Sequence, residues 1–229
     1  IEEKVPIVFT SAGNPKTWTS ILKDQGIKVV HVVSSVKFAL KSEAAGVDAV
    51  VAEGFEAGGH NGREETTTLC LIPEVAKSLQ IPLIAAGGIG SGRAMLAAFA
   101  LGADAVQIGS RFVASEESSA HLHFKEAVVK AQEGDTELRL KSLTPVRLLK
   151  NGFYEQVKQA EEGKTSLEEL RALLGKGRSK KGMFEGELEE GELEIGQVAS
   201  QINEIRPAGD ILKEIWEEFL KEKDRLTKL

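Results

Sequence analysis

Five short runs rich in apolar and β-branched residues recur through the first half of the chain: PIVFTS (6–11), KVVHVVSS (28–35), DAVVAEG (48–54), PLIAAGG (82–88) and AVQIGSRF (105–112). Between them lie WTSILKDQG, VKFALKSEAAG, LIPEVAKSLQ and RAMLAAFALG, which have helix-like spacing. Strands apolar on both faces, alternating strictly with helices, specify an α/β protein with a parallel sheet covered by helices. Two units share the phrase Gly-x-Asp-Ala-Val, at Gly46–Val50 and at Gly102–Val106. In each, the Gly suits a left-handed helix cap and the Asp leads into the next strand.

Five parallel strands fit an open flavodoxin-like sheet or part of a (β/α)₈ barrel, and both bind ligands at the carboxyl ends of strands. Glycine concentrates at those ends, at Gly13, Gly54, Gly58, Gly59, Gly87, Gly88 and Gly109. Glycine-bearing loops after the last two strands match the phosphate site that follows strands seven and eight of a TIM barrel. There, backbone N–H groups of Gly87, Gly88, Gly109 and Ser110 suit a phosphate dianion. The five runs are therefore read as strands four to eight of a TIM (β/α)₈ barrel. The opening IEEKVPIVF has neither an initiator Met nor a signal pattern, so the chain is expected to start inside a barrel whose first three strands are absent. No GxGxxG follows the first strand and no GxxxxGK[ST] occurs, which argues against a dinucleotide fold or a nucleoside triphosphatase.

Residues 1–115 are read as the five βα units, and 116–229 as a helical layer or lid packed on them. ESSAHLHFKEAVVKAQEG, PVRLLKNGFYEQVKQAEEG and SLEELRALLGKG read as helices, and KGRSKKGMFEGELEEGELE as an exposed charged loop. PAGDILKEIWEEFLKEKDRL reads as a terminal amphipathic helix with Ile211, Ile215, Trp216 and Phe219 on its apolar side. A net charge of −6 argues against general binding to nucleic acid or an anionic membrane surface. No run of 18 apolar residues is present, so no membrane span is expected. The single cysteine, Cys70, precludes an internal disulfide, suits the cytoplasm, and reads as a small buried hydrophobe.

The loop EAGGHNGREETTT (56–68) is longer than a turn requires and carries an imidazole, His60. At neutral pH His60 can donate or accept a proton at a strand's carboxyl end. Flexible Gly58 and Gly59 would let the backbone approach a flat ring, and Glu56 would orient the loop. His121 and His123 point in different directions on a helix and lack further ligands, so no metal site is expected.

AEGFEAGGHNG, IAAGGIGSGRAMLAAFALGADAVQIGSRFVASEESSAH and VRLLKN together resemble the family of nitronate monooxygenases (2-nitropropane dioxygenases) and enoyl-acyl-carrier-protein reductases II. The resemblance runs from about Pro6 to the terminal helix, and Glu116–His121 with Val146-Arg147 and Lys150-Asn151 lean to the reductase branch. It implies FMN, with Gly87, Gly88, Gly109 and Ser110 on its phosphate and Gln107 near the ribityl chain. Ser11, Ala12, Gly13, Ser34 and Glu53 would line the flavin beside Gly58 and Gly59, and His60 would be catalytic. The implied activity is NAD(P)H-dependent reduction of an enoyl thioester, with acyl carrier protein as an implied partner, in fatty acid biosynthesis. Alternatives are O₂-dependent oxidation of alkyl nitronates, a phosphosugar enzyme with the same phosphate loops, and a shortened, non-catalytic barrel fragment. The resemblance also implies a homodimer, and it places Gly196-Gln197 near the active site.

Overall fold

The computed structural model describes residues 1–228. Its main sheet is parallel and holds β1 (Ile7–Ser11), β2 (Lys28–Val33), β3 (Ala49–Glu53), β5 (Leu83–Ala86) and β6 (Ala105–Gln107) in the order β1-β2-β3-β5-β6. These are the five runs anticipated from the sequence. The fifth is shorter than its run, because Ser110–Val113 already turns as α5. Connecting helices are α1 (Thr19–Lys23), α2 (Val36–Ala44), α3 (Thr68–Ser78) and α4 (Gly92–Ala100). The sheet is open, and no barrel closes among the described residues. At its β1 edge Ile7 and Phe9 are 51% and 52% exposed.

Register divides each strand between two faces. Val29, Val33, Val50, Ala52, Leu83 and Ala85 face the helices and form one core with Leu71, Ile72 and Val75 of α3 and Ala98 of α4. The opposite face carries Val30, Val32, Ala49, Val51, Ile84 and Ala86, a layer of small apolar residues without a helix over it. The repeated Gly-x-Asp-Ala-Val phrase has a shared geometry. Gly46 and Gly102 take φ of +84° and +102°. Asp48 and Asp104 accept backbone N–H bonds from Val29 and Leu83 of the neighbouring strands, at 2.9 and 2.8 Å. Each phrase thus ends a helix and ties the next strand to its neighbour.

A second sheet, absent from the sequence reading, has the order β4-β8-β7, from β4 (Gly59–His60), β7 (Thr136–Arg139) and β8 (Val146–Leu149). Val146–Leu149 was expected to be helical. It is instead the central strand, buried at all four positions, and α7 (Gly152–Glu162) starts only after Asn151 caps it by accepting from Tyr154 N at 2.8 Å. Helix α6 (Leu122–Lys130) likewise starts late, after His121, whose ring accepts from His123 N. Helix α8 (Leu167–Leu174) is as expected and begins at a capping box from Ser166 and Glu169. The segment read as an exposed charged loop contains α9 (Arg178–Met183) and buries Leu193, with Ile195 just after it, in a second core with Phe124 and Val128. Its alternating glutamates concealed the inward-facing Leu193. Cys70 is exposed, contrary to expectation, because α3 turns Leu71, Ile72 and Val75 inward.

The terminal helix α10 (Ala208–Leu226) packs Ile211 and Ile215 inward. It lies so close to the start of α4 that a Cβ at Gly92 would sit 2.7 Å from the side chain of Glu218. Gly92 N donates to Glu218 at 2.7 Å. No helix of the described residues is long and apolar enough to cross a membrane. Ile72→Ala should lower stability by about 2–5 kcal/mol in urea unfolding. Leu212→Ala, at a position 62% exposed, should change it by less than about 0.5 kcal/mol.

Candidate functional site

The face without helices ends in polar groups. Glu53 pairs in register with Ala86, and Ala86 with Gln107, so Glu53 and Gln107 stand in one row. Ser34 lies just past β2 in line with them, and Ser11 ends β1 one step lower, opposite Val32. Two adjoining cavities open above this row, each about 290 Å³.

The first cavity is lined by Gly58, Gly87, Gly88, Gln107, Gly109 and Ser110. The second is lined by Ser11, Ala12, Gly13, Ser34 and His60. Glu53 lines both. Gly59 lines neither; its φ of +74° makes the turn into β4. The residues singled out in the sequence therefore gather at one end of the sheet, in two compartments that share a carboxyl wall.

The glycines of the first cavity differ in what they permit. Gly87 and Gly88 take φ of +90° and +69°, and a Cβ on Gly87 would lie 2.8 Å from the carbonyl oxygen of Gly54. Gly109 has open space where its Cβ would be. The lining includes the carboxylates Glu56 and Glu194 but no lysine or arginine. An anionic ligand group there must be met by backbone N–H groups and hydroxyls, the pattern of a glycine-built phosphate cradle. Ser110 Oγ accepts from Gly196 N at 3.0 Å, and Gln197 N donates to the Glu56 carbonyl at 2.9 Å, which brings Gly196-Gln197 to this cavity.

The loop that carries His60 is held, not flexible. Gly54 N donates to the Ala86 carbonyl at 3.0 Å and Phe55 N to Thr66 at 2.9 Å. Glu56 accepts from the backbone N and Oγ1 of Thr68 at 2.9 and 2.8 Å, the loop-orienting role expected of it. Asn61, which the sequence reading passed over, donates from its amide to the Ala57 carbonyl at 2.9 Å. A Cβ on Gly58 would lie 2.5 Å from the backbone of Ile195, so this glycine lets two chain segments touch. Beyond it, Gly59 and His60 pair with Arg147 and Val146 of β8, leaving the imidazole exposed at the second cavity.

Burial pushes the Glu53 carboxyl up from the ordinary 4.5 to about 7. His31, on the helix side of β2, is held below its usual range by burial and then by the charge of Lys41. Its Nδ1 lies 2.7 Å from Thr10 Oγ1. The sequence reading missed His31 and Lys41, which line the second cavity. An isolated histidine within an apolar strand gave no signal of this.

The carboxyl ends of this α/β sheet thus bring together glycine-rich turns, a shared carboxyl and an imidazole. The family model described as nitronate monooxygenase matches residues 1–218, and the chain belongs to that family. A probable nitronate monooxygenase of Staphylococcus saprophyticus is 36% identical over 173 residues, which cover 71% of this chain and 49% of that protein. The chain thus spans about half the length of the curated relatives it matches. Among solved structures, FabK from Thermotoga maritima is 44% identical with a TM-score of 0.92, covering 100% of this chain and 72% of that one. A nitroalkane oxidase from Streptomyces ansochromogenes is 28% identical with a TM-score of 0.79, covering 98% and 67%.

A carboxyl whose folded pKa is raised binds more protons in the native state than in the unfolded one. Its contribution is full below about pH 4.5 and is lost as pH rises toward 7. The thermal midpoint should therefore carry a downward slope over that window, and Glu53→Gln should flatten it. An unchanged slope in the variant would remove Glu53 as the source.

Proposed function

We propose that this chain is the flavin- and substrate-binding part of an FMN-dependent oxidoreductase that reduces an enoyl thioester at the expense of NADH or NADPH. The observation that carries the reading is the pair of cavities joined at Glu53, with the Gly87-Gly88 and Gly109-Ser110 cradle on one side and His60 on the other. Its five main strands correspond, on this reading, to the fourth to eighth of a (β/α)₈ barrel. The likeness to FabK, an enoyl-acyl-carrier-protein reductase II, extends over the whole chain and favours reduction over nitronate oxidation.

The residues present fit FMN. Its phosphate would sit on the backbone N–H groups of Gly88 and Gly109 and the hydroxyl of Ser110, with open space where a Cβ of Gly109 would lie. Gln107 would face the ribityl chain. The ring would lie over the strand-end row of Ser34 and Glu53, with Ser11, Ala12, Gly13 and the Gly58-Gly59 backbone at its margins. When bound, FMN supplies hydride to the β-carbon of the enoyl group.

The chain's own task is then charge and proton control. His60 donates a hydrogen bond to the thioester carbonyl as negative charge develops there, and its imidazolium can deliver the proton to the α-carbon. The clamped loop fixes the imidazole at the cavity mouth, so little orientation has to be found in the reacting complex. Glu53, whose carboxyl titrates at about 7, carries its proton on part of the molecules at neutral pH, and in that form it can donate a hydrogen bond without adding negative charge beside the cofactor.

The test is NADH oxidation by the FMN-loaded protein with crotonyl-CoA as acceptor. His60→Ala should keep the cofactor and lose about 10²–10⁴-fold in kcat. Unchanged turnover in that variant would remove His60 from the mechanism. O₂ uptake on alkyl nitronates without NADH consumption would place the chain in the monooxygenase branch instead.

A further inference from the structure

Arg147 is 1% exposed, yet it has no carboxylate partner among the described residues. Its guanidinium donates from Nε and Nη2 to one acceptor, the carbonyl oxygen of Phe55, at 3.2 and 2.7 Å. The same guanidinium lies 4.4 Å from the centroid of the Phe55 ring. Glu56, Glu65 and Glu137 act on it only through space, and burial is the largest influence, disfavouring its charge. A buried cation spent on a carbonyl and a ring is costly for fold stability alone, since an apolar side chain of similar volume would fill the space without desolvating a charge.

Its position gives the reason. Arg147 lies in the centre of β8 and pairs with Gly59, the residue before His60. Its side chain reaches Phe55 at the start of the same loop. One residue therefore grips the loop at both ends, by backbone pairing at Gly59 and by its guanidinium at Phe55. Between these points the path is tight, with Gly58 against Ile195 and Gly59 at φ +74°. We propose that Arg147 is a positioning residue for His60, holding the Phe55–Gly59 segment in the backbone path that delivers the imidazole to the cavity mouth. This rests on the reading of His60 given above. A planar guanidinium suits the task, because two N–H groups converging on one carbonyl and a cationic centre over the Phe55 ring restrain orientation as a lysine cannot.

The test uses the full chain, with and without FMN, carrying Arg147→Met, Arg147→Lys or Phe55→Leu. Amide hydrogen exchange should show residues 55–60 losing about tenfold or more of their protection in R147M while β2, β3 and β5 keep theirs. R147K should recover part of the loss, since an ammonium can still donate to the Phe55 carbonyl. F55L, which removes the ring but keeps that carbonyl, should cost less than R147M, and it serves if the Arg147 variants fold poorly. In the FMN-loaded protein R147M should lower kcat by about 10²-fold with KM and FMN affinity little changed. Protection of residues 55–60 that equals wild type in R147M, or that falls equally across the sheet, would overturn the proposal. If the wild-type chain turns over no enoyl thioester, the catalytic reading of His60 fails, while the exchange comparison still decides whether Arg147 sets the loop.

Discussion

The site depends on the register between β3 and β5. Glu53 pairs with Ala86, and the next residue, Gly54, donates its N–H to the Ala86 carbonyl. That pairing puts Glu53 on the face without helices and starts the His60 loop directly above the Gly87-Gly88 turn. A slip of one residue would turn Glu53 into the helix-facing core and carry the loop away from the cradle. Cavity, cradle and imidazole are thus three consequences of one strand pairing.

The second constraint is that the loop crosses from one sheet to another. It leaves the parallel sheet at Gly54 and joins an antiparallel one at Gly59, so His60 has fixed backbone on both sides. Glycine at 58 and 59 supplies close approach and a positive φ at this crossing. The rigidity comes from Thr68 at the far end of the loop, from Asn61 beside His60 and from β8.

The main sheet was legible because each of its strands is a compact apolar run bounded by glycine or by a helix cap. The strand-end residues were legible for the same reason, since the carboxyl ends follow once the strands are placed. The second sheet was not. β4 has two residues, too few for any period, and β8 is buried at every position and lacks the alternation of a half-exposed strand. The joining of α7 to β8 in the sequence reading failed at Asn151, a cap residue that marks the start of a helix and was read as part of its interior. In the 176–194 stretch, glutamates surround the inward-facing Leu193, so composition hid a buried segment that, with Ile195 after it, lines the cavity through Glu194 and Ile195.

On the proposed function, the two strand-end cavities form one flavin site. The most direct measurement is the visible absorbance spectrum of the purified chain after incubation with FMN and removal of free ligand by gel filtration, compared with Gly88→Val. Flavin bands should stay with the wild-type protein in near-equal proportion and be lost in the variant, whose side chain would enter the cradle beside Glu56. Flavin that elutes wholly free of the wild-type protein, or that is retained equally by the variant, would contradict it.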